Sequence, residues 1–435
     1  MSALEIGFAG IAVVLFLLAM RIPIAIALGA VSIVGIMYLR GPMAAKTLLG
    51  TLPYGFSASW TLSAVPMFLL MGSLAFHTGL TSTLFSAARI WFGKLPGGLA
   101  IATNFACAGF AAVSGSSLAT AAAMGRLAIP EMLKYRYEPA LATSVVAAAG
   151  TLGALIPPSI TLVIYGWFAE IPVGPLLIAG IVPGIFTAVC YAAMIFARAK
   201  INPEIAPPLD EPITDRMRLR ALVDVWPIPV LVLGVAGSIY GGVATPTEAG
   251  AIGAGLTIVI AVLNRSLTFK ALLHSAGEAV RTTATIFIIG IGAILFTRFL
   301  AFSGVPSFLT ELIAAYAVGP ISLILIVMVI YIILGMFLDP LGLLLLTLPI
   351  VIPAFRTAGV DMIWAGILVV KFLEIGFITP PVGMNAFVVK GIVGDQVSLG
   401  TIFRGLTWFV AMEIIVTGVL IAFPAITLFL PQLMR

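Results

Sequence analysis

Long apolar segments follow one another along almost the whole chain, and this pattern restricts the fold more than any other feature. Only 9% of the 435 residues are charged, whereas soluble globular domains carry about 25%. At roughly 20 residues a span, a chain of this length accommodates roughly ten to fourteen hydrophobic segments. Backbone groups in lipid must find hydrogen bonds internally, which a helix achieves within one segment. The sequence therefore predicts an all-α polytopic membrane protein surrounded by a lipid bilayer.

The few polar residues argue against several other classes of protein. The net charge of +5 comes without a basic cluster interleaved with aromatic residues, so we expect no nucleic-acid partner. Two histidines and the cysteines Cys107 and Cys190, both in apolar segments, offer no transition-metal spacing, and no cofactor is expected. The sequence has neither paired catalytic carboxylates nor a nucleophile spaced from a base, so it does not indicate an enzyme.

One stretch deep in the apolar sequence consists of small and hydroxyl-bearing residues. It reads SGSSLATAAAMG from Ser114 to Gly125, with Gly109 before it and Pro130 after it. Polar backbone at membrane depth is tolerated only where it is buried in protein or lines a wet cavity. We interpret the stretch as the tip of a re-entrant hairpin over 97–138 at a transport site. The alternative is a small-residue face for helix packing.

Two double prolines interrupt apolar segments farther along the chain. They occur in GTLGALIPPSITLVIYG (150–166) and EIGFITPPVGMNAFVVKG (374–391). Each pair removes two backbone donors and obstructs the preceding turn, which releases carbonyls near Ala154 and Phe377 from the helix. Free carbonyls beside hydroxyls suit Na⁺, and half-helix N-termini suit an anionic substrate. We predict broken spans over 142–169 and 363–390, with a plain proline kink as the alternative.

Prolines and glycines of the first half recur in the second half at one constant shift along the chain. This shift pairs Pro23 with Pro246, Pro130 with Pro353, Gly153 with Gly376, Pro157 with Pro380, and Pro158 with Pro381. These coincidences predict an internal repeat: a first half over 1–197, a connector over 198–224 and a second half over 225–435. A second hairpin is then expected over 320–357, in register with the first.

The number of crossings predicts how the two halves are oriented. If each hairpin enters the membrane without crossing it, each half crosses five times, and the second repeat is inverted relative to the first. Lysines and arginines are more numerous on the side of the connector, which places the connector in the cytoplasm. Both chain termini are then expected to be periplasmic.

Four acidic residues fall within apolar segments. Asp339 lies in FLDPLGLLLLTLPI without a basic neighbour, and an ionised carboxylate at the bilayer centre costs roughly 2.5–3.5 kcal/mol. A bound Na⁺ or a proton would compensate it, and a structural helix cap before the proline is the alternative. Glu374 follows Lys371 by three residues, which predicts a structural ion pair within one helix. Glu248 is expected to cap a broken helix, and Glu413 has no predicted role.

The combination of these motifs is similar to a known family. SGSSLATAAAMG, GTLGALIPPSITLVIYG, FLDPLGLLLLTLPI and FITPPVGMNAF together resemble the large membrane subunit of the tripartite ATP-independent periplasmic (TRAP) transporters, the DctM-like family. The resemblance runs from the RIP motif at Arg21 to the C-terminus. It implies an elevator-type secondary transporter of the bacterial inner membrane. A transport domain of both hairpins and both broken helices would move against a scaffold made from the early spans of each half.

The resemblance also implies the ligands. Na⁺ would be the coupling ion, and the solute would carry a carboxylate, as a C4-dicarboxylate, keto acid, sugar acid or sialic acid does. Carried onto this chain, the family's Na⁺ sites would lie around Ser114, Ser116, Ser117, Gly153 and Pro157 in one half, and around Asp339, Gly376, Thr379 and Pro380 in the other. Substrate would lie between them, near Thr120 and Asn385.

The implied partners are a smaller four-span membrane subunit and a soluble periplasmic protein that delivers the substrate. Some members of the family carry the small subunit as an N-terminal fusion, and this chain leaves no room for it, so we expect a separate polypeptide. Two other functions stay open. One is a stand-alone Na⁺:anion symporter of the same fold, and the other is an ion channel, which would need a repeated filter or charged ring along one pore.

Overall fold

The computed structural model describes residues 2–208, 213–316 and 319–434, and it contains no β-strand among them. Six helices in this part of the chain are long and apolar enough to cross a membrane, or seven if a pair bent by 56° counts as one span. The bent pair joins Pro42–Ser57 to Thr61–His77. The prediction of an all-α multi-pass membrane protein is confirmed.

The first half of the chain is a succession of helices. They are α1 (Ala3–Ala19), α2 (Ile24–Arg40), α3 (Pro42–Ser57), α4 (Ala64–His77), α5 (Leu80–Phe92), α6 (Gly98–Ser114), α7 (Ser117–Lys134), α8 (Pro139–Gly150), α9 (Ile160–Phe168), α10 (Val173–Ala179) and α11 (Ile181–Ile201). Short 3₁₀ turns precede α4 and follow α8.

The second half continues in the same manner. Its helices are α12 (Asp215–Asp224), α13 (Pro227–Val232), α14 (Ser238–Tyr240), α15 (Pro246–Leu263), α16 (Phe269–Ser303), α17 (Val305–Ala315), α18 (Pro320–Gly335), α19 (Pro340–Thr357), α20 (Met362–Ile378), α21 (Met384–Val393), α22 (Leu399–Ala422) and α23 (Ala425–Leu433). A π-helical segment joins α13 to α14.

Helix bounds in the two halves follow the shift found in the sequence. The shift that carries Pro157 onto Pro380 also carries both ends of α7 onto the ends of α19, and the start of α8 onto the start of α20. The residues that cap α7 and α19, Ser116 and Asp339, are related in the same way. Both accept a hydrogen bond from a backbone N–H of the first turn, as serine and aspartate do at helix N-termini. This correspondence supports the predicted repeat.

The connector between the halves and the helix capped by Glu248 both differ from their predictions. The connector was expected over 198–224, but α11 continues to Ile201 and α12 begins at Asp215, so its described ends are helical. Residues 209–212 of the predicted connector lie outside the described part. Glu248 does form a cap, since it shares a capping box with Thr245, but the helix that it starts, α15, is continuous.

The helices pack into two groups. In the first, α2 packs against α16, and α4 packs against α15 and α16. In the second, α8 packs against α7 and α22, α11 against α6, and α18 against α20. Both hairpins and both interrupted helices lie in the second group, together with the long helices α11 and α22. The groups meet where α4 contacts α6 and where α16 contacts α19.

A buried ion pair joins three helices of the second group and corrects one prediction. Lys371 of α20 pairs with Glu413 of α22, and its Nζ lies 3.2 Å from Thr187 Oγ1 of α11. Glu413 also accepts a hydrogen bond of 2.5 Å from the Tyr191 hydroxyl. The predicted pair of Lys371 with Glu374 is wrong, because tertiary packing brings a carboxylate from another helix to the lysine.

Removing one member of this pair is expected to destabilise the protein more than removing both charges. Lys371→Met leaves Glu413 buried and unpaired, which costs about 3–5 kcal/mol in comparable sites. The double variant Lys371→Met/Glu413→Gln removes both charges and keeps an acceptor for Tyr191, so it should recover much of that loss. Thermal unfolding of the purified protein in detergent measures both effects. Glu413→Gln is measured as the second single variant, and a double variant whose loss equals the sum of the two single losses would contradict the pairing.

Candidate functional site

The tip of the first hairpin is a sharp turn of two residues between α6 and α7. Gly115 ends α6 with a φ of +64°, a left-handed conformation that glycine adopts without steric cost. Ser116 then caps α7, with its side chain accepting from the Ala119 N–H at 3.4 Å. Ser114 contributes a third polar group, since its hydroxyl lies 2.7 Å from the Thr120 hydroxyl. The sequence SGSS thus makes a tip without bulky side chains.

This tip lies directly against the break between α8 and α9. A Cβ added to Gly115 would lie 2.6 Å from the Pro158 carbonyl oxygen, and one added to Gly153 would lie 2.6 Å from the Ser116 carbonyl oxygen. The Ile160 N–H donates to the Gly115 carbonyl at 3.4 Å. Only glycine permits such an approach, so backbone meets backbone at this point.

The second hairpin also meets its own interrupted helix through glycine and backbone, at positions that differ from those in the first half. A Cβ on Gly376 of α20 would lie 2.8 Å from two backbone atoms of Gly335, the last residue of α18. The Gly383 N–H donates to the Met336 carbonyl at 3.4 Å. The repeat shift places Gly383 at the position of Ile160, the donor in the first half, although the acceptors Gly115 and Met336 are not related by the shift. Each hairpin therefore rests on the broken helix of its own half.

The interruptions carry polar atoms as well as prolines. The bond between Pro157 and Pro158 is cis, as is the bond between Pro380 and Pro381. The Ala154 carbonyl, which the broken helix leaves unused, accepts a hydrogen bond from the Ser159 hydroxyl. At the interruption of the second half, Thr379 follows α20 and its hydroxyl donates to the Ile375 carbonyl at 2.5 Å.

The remaining residues of the predicted site take defined places. Asp339 is the N-cap of α19, and its Oδ2 accepts a hydrogen bond from the Gly342 N–H at 2.8 Å. This is the geometry expected for a structural helix cap, the alternative to an ion site at this residue. Ser117 donates its hydroxyl to Glu374 Oε1 at 2.7 Å. Thr120 and Asn385, the predicted substrate residues, are fully buried, and Asn385 donates to the Ala147 carbonyl at 3.0 Å.

A cavity of about 880 Å³ opens between the first hairpin tip and helices α4 and α16. Ser114 and Ser116 form part of its wall, whereas Thr120 and Asn385 do not. A Cβ on Gly72, in the α4 wall, would lie 2.8 Å from the Ser114 Cα, so the tip also touches the first helix group. The charged and titratable residues on the wall are His77, Arg126, His274, Glu278 and Arg281.

The charges in this cavity are unbalanced towards positive. Glu278 accepts from the Ser73 hydroxyl at 2.5 Å and lies 3.3 Å from His77 Nε2. No salt bridge joins Arg126 or Arg281 to a carboxylate in the part of the chain that the structure describes. Arg126 comes from α7 and Arg281 from α16, so the two helix groups each contribute one cation to the same cavity.

These arginines were missed in the sequence because positive charges in a membrane protein are first explained by topology. Helical spacing offered one signal. Ser116, Ala119, Ala123 and Arg126 recur at intervals of three or four residues, which places the arginine on the same face of α7 as the tip serine. Arg281 had no such signal, because its approach to α7 depends on tertiary packing.

Comparison with known proteins identifies a family that covers nearly the whole chain. Residues 11–426 match the family described as "Tripartite ATP-independent periplasmic transporter, DctM component". The C4-dicarboxylate TRAP transporter large permease protein DctM of Pseudomonas aeruginosa is 35% identical, over 86% of this chain and 87% of that protein. The sialic acid TRAP transporter large permease protein SiaM of Vibrio cholerae is 31% identical, over 90% and 89%.

A solved structure shares the fold at low sequence identity. The YdaH transporter of Alcanivorax borkumensis superposes with a TM-score of 0.60 at 15% identity, covering 88% of this chain and 89% of that one. Because the family model spans nearly all of the sequence, the chain belongs to the DctM component family of the tripartite ATP-independent periplasmic transporters, whose members are large permease subunits rather than enzymes.

Proposed function

We propose that this chain is the transport subunit of a Na⁺-driven secondary importer for a carboxylate-bearing solute, acting in the bacterial inner membrane with both termini periplasmic. The observation that carries this proposal is the cavity beside the first hairpin tip, where Arg126 and Arg281 have no carboxylate partner among the described residues. A guanidinium group binds a carboxylate through two parallel hydrogen bonds, which makes arginine well suited to this task.

The size of the cavity suits a small organic acid. Ligand sites commonly measure about 300–1,000 Å³, and this one holds about 880 Å³. The two relatives named above transport a C4-dicarboxylate and sialic acid by their names, and both of these solutes are carboxylates. A C4-dicarboxylate, keto acid, sugar acid or sialic acid is therefore the solute class that we propose for this chain.

The coupling ions are proposed to bind at the two hairpin tips. One Na⁺ site would involve Ser114, Ser116, Ser117, Gly153 and Pro157, and the other would involve Asp339, Gly376, Thr379 and Pro380. Support comes from the close backbone contacts at Gly153 and Gly376, where a Cβ would fill the space beside main-chain oxygens or carbons. Peptide and hydroxyl oxygens of this kind are ligands that Na⁺ accepts in transporters.

The membrane potential makes such coupling effective. Each positive charge that moves inward gains about 2.3 kcal/mol per 100 mV on an inside-negative membrane. Two Na⁺ ions would offset the cost of moving an anionic solute against that potential. In this proposal the helix group that holds both hairpins, both broken helices, α11 and α22 moves as the transport domain, and the group of α2, α4, α15 and α16 is the scaffold.

A tripartite system needs two further components. We propose that this subunit works with a small four-span membrane subunit and with a soluble periplasmic protein that delivers the solute. Uptake into proteoliposomes tests both points, using radiolabelled succinate, pyruvate, gluconate and N-acetylneuraminate with and without the two partners. Uptake that needs neither partner would favour the stand-alone symporter, and single-channel currents in a planar bilayer would favour a channel.

Neutralising the arginines is expected to weaken solute recognition. A hydrogen bond to a charged group contributes about 1.5–3 kcal/mol, so Arg126→Gln and Arg281→Gln should each raise the KM for the transported acid by about 10–100-fold. Arg216→Gln is the matched control, because Arg216 is exposed on α12 and does not line the cavity. Uptake kinetics at saturating Na⁺ measure the effect. Unchanged KM values in both cavity variants would exclude the arginines from recognition.

The second tip provides a test of Na⁺ coupling that leaves the helix cap in place. Asparagine caps helices about as well as aspartate, so Asp339→Asn should fold normally while removing the negative charge. Na⁺-dependent uptake should be abolished and expression largely retained. Asp361→Asn is the control, since Asp361 caps α20 with two bonds of 2.9 Å to backbone N–H groups. Wild-type Na⁺ dependence in Asp339→Asn would remove Asp339 from the site.

A further inference from the structure

Three ionisable side chains lie together in the interior of the second helix group. Lys371 and Glu374 belong to α20, Glu413 belongs to α22, and each is at most 3% exposed. Two carboxylates and one ammonium group leave one negative charge in excess when all three are ionised. Buried charges are strongly unfavourable unless a partner compensates them.

The lysine is already fully engaged by Glu413. Their ion pair is supported on both sides, because Thr187 Oγ1 lies 3.2 Å from the lysine Nζ and Tyr191 donates to the carboxylate at 2.5 Å. These contacts come from α11, which does not reach Glu374 through any hydrogen bond in the part of the chain that the structure describes. The excess negative charge therefore belongs to Glu374.

The two oxygens of Glu374 have different surroundings. Oε1 accepts the hydroxyl hydrogen of Ser117 at 2.7 Å. Oε2 is buried, and the described residues offer it no hydrogen-bond partner. A hydroxyl donor compensates a carboxylate only in part, so the remaining charge is removed either by a proton or by a cation at the open oxygen.

Glu374 reaches the first hairpin tip although it comes from the second half of the chain. Ser117 is the first residue of α7, directly after the cap Ser116. A Cβ on Gly153 would lie 2.8 Å from Thr120 Oγ1, and a Cβ on Gly150 would lie 3.2 Å from the Ser117 carbonyl oxygen. The bond from the Ser117 hydroxyl places the Glu374 carboxyl group at the N-terminal end of α7, the same end that carries the Ser116 cap and the hydroxyls of Ser117 and Thr120.

We infer that Glu374 supplies the anionic ligand of a Na⁺ ion bound at the first hairpin tip. This inference rests on the proposed Na⁺ coupling and adds a residue from the opposite half to a site otherwise made of neutral oxygens. Sodium then neutralises the excess charge of the interior cluster, and it bridges the first hairpin to α20 of the second half. Release of the ion leaves a buried carboxylate that only Ser117 stabilises, which weakens this contact between the halves.

Sodium binding to the purified wild-type transporter and to Glu374→Gln tests the inference without measuring transport. Glutamine keeps an acceptor for Ser117 and the volume of the side chain but removes the charge. The affinity for Na⁺ at this site is expected to fall at least about tenfold, and the number of bound ²²Na⁺ ions should fall by one. The thermal shift produced by NaCl, compared with choline chloride at equal ionic strength, should shrink accordingly.

Two further variants make the result interpretable. Glu248→Gln is the control for loss of one acidic group, because glutamine also serves in the capping box of α15, and it should bind Na⁺ as the wild type does. Glu374→Asp keeps the charge on a shorter side chain and should retain the full number of bound ions with lower affinity. If Glu374→Gln does not fold, loss of one ion in Glu374→Asp or an unchanged Na⁺ affinity there would count against the inference.

The two proposals fail in different ways. A wild-type transporter that binds no Na⁺ contradicts the proposed coupling and this inference together. A wild type that binds Na⁺, with the same affinity and number of ions in well-folded Glu374→Gln, contradicts this inference alone. That result would mean that the Glu374 carboxyl group is already neutral or that its role is confined to holding Ser117.

Discussion

Direct contact between backbones at the two hairpin tips is the interaction on which the rest of the structure depends. Polar main-chain groups within a membrane protein need partners in the protein or a wet cavity, and the two proline pairs create such groups deep in apolar helices. The Ile160 and Gly383 N–H groups find acceptors on the hairpins, and Gly153 and Gly376 leave room for the hairpin backbone to come this close. Gly153, which follows α8, and Gly376 of α20 are both buried.

The parts of the fold that could be predicted from the sequence are those set by local chemistry. SGSS indicates a turn because small hydroxyl residues and a left-handed glycine are needed there, and the structure has Gly115 and Ser116 at that turn. The proline pairs locate the interruptions because proline removes backbone donors wherever it occurs. Because these prolines and glycines are equally spaced in the two halves, the sequence also predicts the internal repeat. The bounds of α7 and α19 are related by the same shift.

The features that could not be predicted are set by which helices become neighbours. Lys371 has a carboxylate three residues away in its own helix, yet its partner is Glu413 from α22, because the lysine is buried between α11 and α22. Glu374 then becomes available to Ser117, which lies far away in the other half of the sequence. Arg281 joins Arg126 only because α16 and α7 face one cavity. Residue spacing in the sequence indicates which side chains share a face of one helix, but not which helices pack against each other.

The approach of Gly72 to Ser114 has a mechanical consequence. At this point a glycine of α4 faces the main chain of the hairpin tip, so residue 72 places no side chain between the two surfaces. Interdigitated surfaces separate only after rotamers change, which introduces steps into a sliding motion. The contact between α4 and the tip has no such step at residue 72. Movement of the two helix groups against each other, as proposed above, would therefore meet no interlocking side chain at residue 72.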